Sequence, residues 1–189
     1  ILYVCGKFLK SQGKLNGNTV VTTVMSNMGL YKAFESEDIN YEQTAVGDKY
    51  VAENMLENNY SIGGEQSGHV IFSRYAATGD GILTSLMIME ACVEQKATLC
   101  DLAKEMKVYP QILRNVRVAD KKTARENPKV VEAVEAAARA LSTEGRILVR
   151  ESGTEPLIRV MVEAGTEEIC AEHVNNVVRV MEEEGLIVE

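Results

Sequence analysis

The 189-residue sequence predicts two domains in series: an α/β domain over residues 1–108 and an α+β domain over residues 109–189. Two observations carry this. Short β-branched runs alternate with helix-spaced apolar residues through the first part, the pattern of a sheet with flanking helices. Near Tyr109 and Pro110 the pattern changes to three alternating strands and two strongly amphipathic helices. With 46% hydrophobic and 25% charged residues, each part has the composition of an ordinary globular core.

In the first part, ILYVCGKFLKSQGKL has helical apolar spacing and stops near Gly13. NTVVTTV is short and β-branched, a buried strand. Ser26 or Asn27 can cap a helix through YKAFES. INYEQTAV reads as a strand. VGDKYVAENMLENN reads as a helix that buries Val51, Met55 and, from the preceding turn, Val46 or Tyr50. YSIGG and HVIF form a pair of short strands. TGDGILTSLMIMEACVEQ is a long helix, apolar almost all round at its middle, and so expected to be buried. A short helix runs from Cys100 to Met106.

In the second part, ILRNVRV alternates as a strand. Asn127-Pro128 starts a helix, a capping side chain followed by Pro at the first helical position. Its expected stripe is Val130, Val131, Val134, Ala138 and Leu141. GRILVR and PLIRVMVEA are strands. Thr166 caps a last helix with Glu167 and Glu168 in its first turn, where the helix dipole favours them. Ile169, Cys170, Val174, Val177, Val178 and Met181 are its expected buried face. The order β-α-β-β-α places helices on one face of an antiparallel sheet.

A net charge of −8 and a pI near 5.0 argue against nucleic acid as a partner, because a phosphate backbone calls for a basic face. No apolar run is long enough to span a membrane. The four cysteines, Cys5, Cys92, Cys100 and Cys170, form no CxxC pair and read as reduced core thiols of a cytoplasmic protein. No metal site is expected from them. The chain opens inside an amphipathic pattern, without Met and without a basic leader, which predicts a segment of a longer polypeptide rather than a signal peptide.

Four polar, glycine-bearing islands interrupt the apolar pattern: VGDK (46–49), GGEQSGH (63–69), TGDG (78–81) and RESGTEP (150–156). In the last, Ser and Thr hydroxyls, a flexible Gly and adjacent backbone N–H groups can form a nest for an anion. Arg150 adds a planar fork suited to phosphate oxygens, and Arg159 is a second cation on the next strand. A plain hairpin turn with a surface Arg has a similar composition. GGEQSGH is longer than a hairpin needs. Glu65 and Ser67 point the same way in an extended segment, and a carboxylate there can accept from two vicinal sugar hydroxyls. His69 follows on the same side and can exchange protons near neutral pH. His173 flanks the apolar stripe of the last helix and reads as a surface or packing residue. Asp80 reads as a helix-start residue. By count alone Asp48 and Asp80 suffice for Mg²⁺, but nothing in the sequence brings them together.

GGEQSGH and R-x-S-G-T-E-P, in this order and about 85 residues apart, resemble the paired motifs of the α-D-phosphohexomutase family. TVMSNMGL, AVGDKYV and TGDGIL resemble the segments around them, and the resemblance covers the whole chain. Gln66 is the form typical of the family's glucosamine branch. The resemblance implies the third and fourth of four domains, the fourth with a TATA-binding-protein-like fold. It implies the interconversion of glucosamine 6-phosphate and glucosamine 1-phosphate through a phosphoserine and a bisphosphorylated sugar. The catalytic serine and the D-G-D-x-D-R loop that holds Mg²⁺ belong to the first two domains. Neither motif occurs here, so this chain alone is expected to be inactive, and the surface that the second domain covers is expected to be exposed.

Carried onto this sequence, the resemblance implies that Glu65 and Ser67 hold the sugar 3- and 4-hydroxyls. Arg150, Ser152, Gly153 and Thr154 hold the phosphate that is not reacting. His69 lies near the reacting centre with an acid/base or electrostatic role, and Lys49 is a further cation near the sugar phosphate. The implied partners are a phosphorylated amino sugar and the N-terminal domains of the same chain. Two positions depart from the family pattern. Lys49 stands where this branch usually has Arg, which keeps charge but loses the bidentate fork. Glu151 stands where Pro is usual, a carboxylate beside an anion nest. Two other readings keep the same pocket: a freestanding, non-catalytic phosphosugar-binding module, or half of a related phosphomannomutase/phosphoglucomutase.

Overall fold

In the computed structural model, which describes residues 1–188, the chain divides into a first compact unit, Ile1–Val108, and a second that begins at Tyr109. The first unit is α/β. Strand β1 (Thr19–Thr23) pairs in parallel with β2 (Asn40–Thr44) and with β3 (Ile62–Gly64). β4 (Val70–Phe72) is antiparallel to β3, and the sheet order is β2-β1-β3-β4. β1 is central, and its sequence TVVTT is buried at every position, as a strand covered on both faces requires. Val20, Val21 and Ile62 are fully buried, each contributing roughly 1.5–3 kcal/mol of transfer free energy.

Five helices surround this sheet. Helix α1 (Leu2–Ser11) buries Tyr3, Val4, Cys5 and Phe8 against it. Helix α2 (Met28–Ser36) starts at Asn27, whose side chain accepts from Gly29 N at 3.0 Å. Helix α3 (Asp48–Asn58) buries Val51 and Met55 against Val21 and Ile71. Val46 and Tyr50, expected to share that face, are exposed, because Gly47 turns the chain immediately before the helix. Helix α4 (Gly81–Gln95) is capped by Asp80, which accepts from Ile82 N and Leu83 N, both at 2.9 Å. Helix α5 (Leu99–Ala103) opens with a capping box between Thr98 and Asp101.

Helix α4 departs from expectation. It buries Thr84, Met87 and Ala91 but exposes Ile82, Leu86, Met89 and Val93. The exposed residues recur at helical spacing, so α4 presents one apolar stripe to the unit and a second outward. Composition averaged round the helix hides such a division. The cysteines are also corrected. Cys5 and Cys170 are buried, but Cys92 is half-buried and Cys100 is exposed. Burial pushes the Cys5 thiol up to about 11.

The second unit is α+β. Its antiparallel sheet has the order β5-β7-β6, from β5 (Gln111–Arg117), β6 (Arg146–Glu151) and β7 (Leu157–Glu163). Helices α6 (Lys121–Glu126), α7 (Pro128–Leu141) and α8 (Glu167–Glu183) accompany it. Ile158, Val160 and Val162 of β7 form one core with Val130 and Leu141 of α7 and Cys170, Val174, Val177 and Met181 of α8. Asn127 caps α7 and Thr166 caps α8.

The buried stripe of α7 is Val130, Ala133, Ala137 and Leu141, while Val131 and Ala138, expected on it, are exposed. With Ala or Val at most positions, composition leaves the line between Val130 and Leu141 open, and it runs through Ala133 and Ala137. Ile169 of α8 is likewise exposed. At the far end of β7, Glu163 is fully buried, paired with Arg146 Nε at 2.6 Å and accepting from Gln111 Nε2 at 2.9 Å. Such a carboxylate is tolerable only with these partners.

Candidate functional site

In the first unit the turn between β3 and β4 gathers the polar residues of GGEQSGH. Glu65 N donates to His69 O at 3.0 Å and Gly68 N to Glu65 O at 3.1 Å, closing the turn. Gly68 has φ 101°, a conformation that side chains disfavour. A Cβ on Gly64 would lie 2.5 Å from the His69 carbonyl oxygen. The glycines of this stretch therefore serve the tightness of the turn.

The side chains form a chain of contacts. Glu65 Oε1 accepts from Gly47 N at 2.8 Å, which ties this turn to the start of α3. Ser67 Oγ donates to Glu65 Oε2 at 3.4 Å and lies 3.3 Å from His69 Nδ1. With the hydroxyl hydrogen on Glu65, Nδ1 carries a hydrogen and donates to Oγ. The Ser67 and His69 contacts are long, and both residues are exposed. A carboxylate offers about four lone-pair directions, so Glu65 keeps acceptor capacity beyond these two contacts. A cleft of about 250 Å³ beside the turn is lined by Ser26, Asn27, Glu65, Gln66, Gly68 and Thr84. A larger cavity, about 520 Å³, opens at the other end of the β3–β4 hairpin, but the Ser61 and Ser73 hydroxyls there are engaged with backbone carbonyls. The smaller cleft is lined by carboxylate, amide and hydroxyl groups, the kinds that can hydrogen-bond a polyhydroxyl ligand.

Lys49 lies on α3, 74% exposed, with its ammonium 3.6 Å from Glu53 on the same helix. Asp48 accepts from Lys49 N, and Asp80 is spent on the start of α4. Among the described residues there is no group of three or more His, Cys, Asp or Glu side chains disposed to hold a metal ion.

In the second unit RESGTEP is the connection from β6 to β7. Arg150 and Arg159 are cross-strand partners, so two guanidinium groups stand side by side on the sheet. The Nε–H groups of both are buried without a hydrogen-bond partner. Burial, and then the Arg159 charge, lower the Arg150 pKa, although a guanidinium remains protonated at any physiological pH. Arg159 Nη2 also pairs with Glu155 at 3.1 Å. Ser152 is buried; its N donates to Leu157 O at 2.9 Å, and its hydroxyl oxygen accepts from Glu155 N at 3.3 Å. Gly153 and Thr154 are exposed at the tip. Two half-buried guanidinium groups, each with a buried and unpaired Nε–H, beside a loop of exposed backbone amides, are an arrangement an anion would stabilise.

The match to known sequences is decisive. Residues 1–109 match the model for phosphoglucomutase/phosphomannomutase, alpha/beta/alpha domain III, and residues 113–180 match that for the C-terminal domain of the same family. The chain belongs to the phosphohexomutase family. Among its members it is 57% identical over 187 residues to the phosphoglucosamine mutase of Lachnoclostridium phytofermentans and 58% identical over 188 residues to that of Lachnospira eligens. These matches cover 99% and 100% of this chain but 42% of each relative, so the chain spans about two-fifths of their length. A solved phosphohexomutase shares the fold at a TM-score of 0.76 and 18% identity, over 97% of this chain and 42% of the other. It is the Aspergillus fumigatus N-acetylphosphoglucosamine mutase, in complex with GlcNAc-6P and magnesium.

Three features of the phosphohexomutase site escaped the sequence reading. Gly47 N–H holds Glu65. Gly79, from TGDG, packs against His69, since a Cβ there would lie 3.3 Å from His69 Cβ. Helix α6 meets the RESGTEP loop through Lys121 and Arg125. A signal for α6 is present: Asp120 precedes KKTARE, and its carboxylate accepts from Thr123 N at 2.6 Å.

Proposed function

We propose that this chain supplies the sugar- and phosphate-recognition portion of a phosphoglucosamine mutase, interconverting glucosamine 6-phosphate and glucosamine 1-phosphate. The buried, unpartnered Nε–H groups of the neighbouring Arg150 and Arg159 carry the reading. In the proposed site Arg150, Ser152, Gly153, Thr154 and Arg159 hold the non-reacting phosphate. Glu65 and Ser67 hold sugar hydroxyls, His69 stands by as acid/base or electrostatic group, and Lys49 adds a cation. A mutase that turns its sugar over between two phosphoryl transfers needs contacts insensitive to the turn. A carboxylate on vicinal hydroxyls and a nest for whichever phosphate is remote meet that need.

Asp48 and Asp80 each sit at a helix start, and among the described residues neither belongs to a group of three or more His, Cys, Asp or Glu side chains that would hold Mg²⁺. We place the metal and the phosphorylated serine in the portion of the relatives that this chain does not span, and we read those domains as its partners. No helix is long and apolar enough to cross a membrane among the described residues, and we read the compartment as cytoplasmic.

Calorimetric titration of the chain with glucosamine 6-phosphate, inorganic phosphate and glucosamine tests this reading. Glucosamine 6-phosphate is expected to bind more tightly than either part. Equal affinity for glucosamine 6-phosphate and inorganic phosphate would remove the sugar half of the proposal.

A further inference from the structure

Helix α6 touches the loop after β6 at two points. Lys121 Nζ donates to the Ser152 carbonyl oxygen at 2.8 Å. Arg125 Nη1 lies 3.3 Å from Glu151 Oε1. Both contacts fall on residues adjacent to proposed anion donors, Arg150 and Gly153.

The first contact has a geometric consequence. A trans peptide unit is planar, with its C=O and N–H pointing in opposite directions. The described chain has no cis peptide. Holding the Ser152 carbonyl toward Lys121 therefore aims the Gly153 N–H away from Lys121. Ser152 is buried and bonded to Leu157 and Glu155, whereas on the Gly153 side nothing else holds the unit: Gly153 is exposed and a Cβ built on it meets nothing within 4 Å. The second contact is on the other face. Glu151 follows Arg150 in β6 and pairs with Ile158, so its carboxylate stands on the helix-covered face of the sheet, opposite the Arg150–Arg159 pair. Both partners are partly exposed, 54% for Arg125 and 35% for Glu151, so their pairing adds little to stability. What it does is seat α6 against the end of β6 on that face. A Pro at position 151 would hold φ through its ring. With Glu there, constraint has to come from elsewhere.

We propose that α6 is the positioning element of the anion loop. Lys121 fixes the Ser152–Gly153 peptide plane so that the Gly153 N–H serves the phosphate, and the Arg125–Glu151 pair seats the helix on the opposite face. Lys121 is a positioning residue, and the assignment rests on reading Arg150–Thr154 as a phosphate loop.

The test combines phosphate calorimetry with ¹⁵N relaxation of the ligand-free chain. Lys121→Met is expected to weaken inorganic phosphate about 5- to 20-fold, below the roughly 10- to 150-fold of a charged hydrogen bond removed outright, because the Gly153 N–H is misaimed and not lost. It should also lower the Gly153 order parameter from a rigid value of about 0.85 toward 0.6. Lys121→Arg, which can still donate to the carbonyl, should remain within about 2-fold of wild type. Arg125→Gln, which removes an exposed ion pair on the opposite face of the sheet, should stay within about 2-fold. Wild-type affinity in Lys121→Met overturns the proposal. An unchanged Gly153 order parameter in Lys121→Met also overturns it, whatever the affinity. Arg150→Ala runs in parallel. If it too binds phosphate as wild type does, the phosphate reading has failed, whereas Gly153 relaxation still reports on the lock by itself.

Discussion

The two polar loops of this phosphohexomutase chain leave their hydrogen-bonding groups in opposite states. The turn after β3 satisfies itself: Glu65 binds Gly47 N and Ser67, and Ser67 meets His69. Its groups are mostly exposed, so a ligand exchanges one set of moderate hydrogen bonds for another. The loop after β6 leaves charged donors unpaired, with the Nε–H groups of Arg150 and Arg159 buried and the two cations side by side. An anion relieves both costs at once. Affinity should therefore reside in the second unit and discrimination among sugars in the first. A net gain from a hydrogen bond to a charged group is about 1.5–3 kcal/mol, against about 0.5–1.5 for a neutral one.

The largest expected effect tests the stronger side. Arg150→Ala should weaken glucosamine 6-phosphate about 10- to 150-fold by calorimetry, matching about 1.5–3 kcal/mol. Gly64→Ala should act on the other loop through stability alone. A Cβ 2.5 Å from the His69 carbonyl forces the hairpin apart, at about 1–3 kcal/mol in denaturant unfolding of the first unit. Phosphate affinity in the second unit should be unchanged in that variant. Glu65→Ala should cost about 0.5–1.5 kcal/mol in glucosamine 6-phosphate binding and leave inorganic phosphate binding unaltered. A loss equal to that of Arg150→Ala would erase the contrast between the loops. Smallest is Lys49→Ala, at most about 0.5 kcal/mol in stability, because its pairing with Glu53 is exposed and of the i,i+4 kind.

Legibility in the sequence follows the same physical divide. Strands such as TVVTT and helix starts such as Asn127-Pro128 and Thr166 were legible because local chemistry decides them. The outward stripe of α4 was not, since residues 82, 86, 89 and 93 are as apolar as those facing inward. The phase of α7 was ambiguous among alanines and valines. In the sites, motifs identified the loops, but nothing local could reveal that Gly47 would meet Glu65, 18 positions away in sequence. Nor could it reveal that Lys121 would reach Ser152, 31 positions away. Those contacts are set by strand order and by a six-residue helix between two strands.

The most direct measurement is an NMR titration of the chain with inorganic phosphate and then with glucosamine 6-phosphate. Phosphate should shift the amides of residues 150–154 and leave residues 63–69 unmoved, and the sugar phosphate should shift both. If phosphate leaves residues 150–154 unmoved, the paired arginines do not form an anion site and the division of labour between the two loops is wrong.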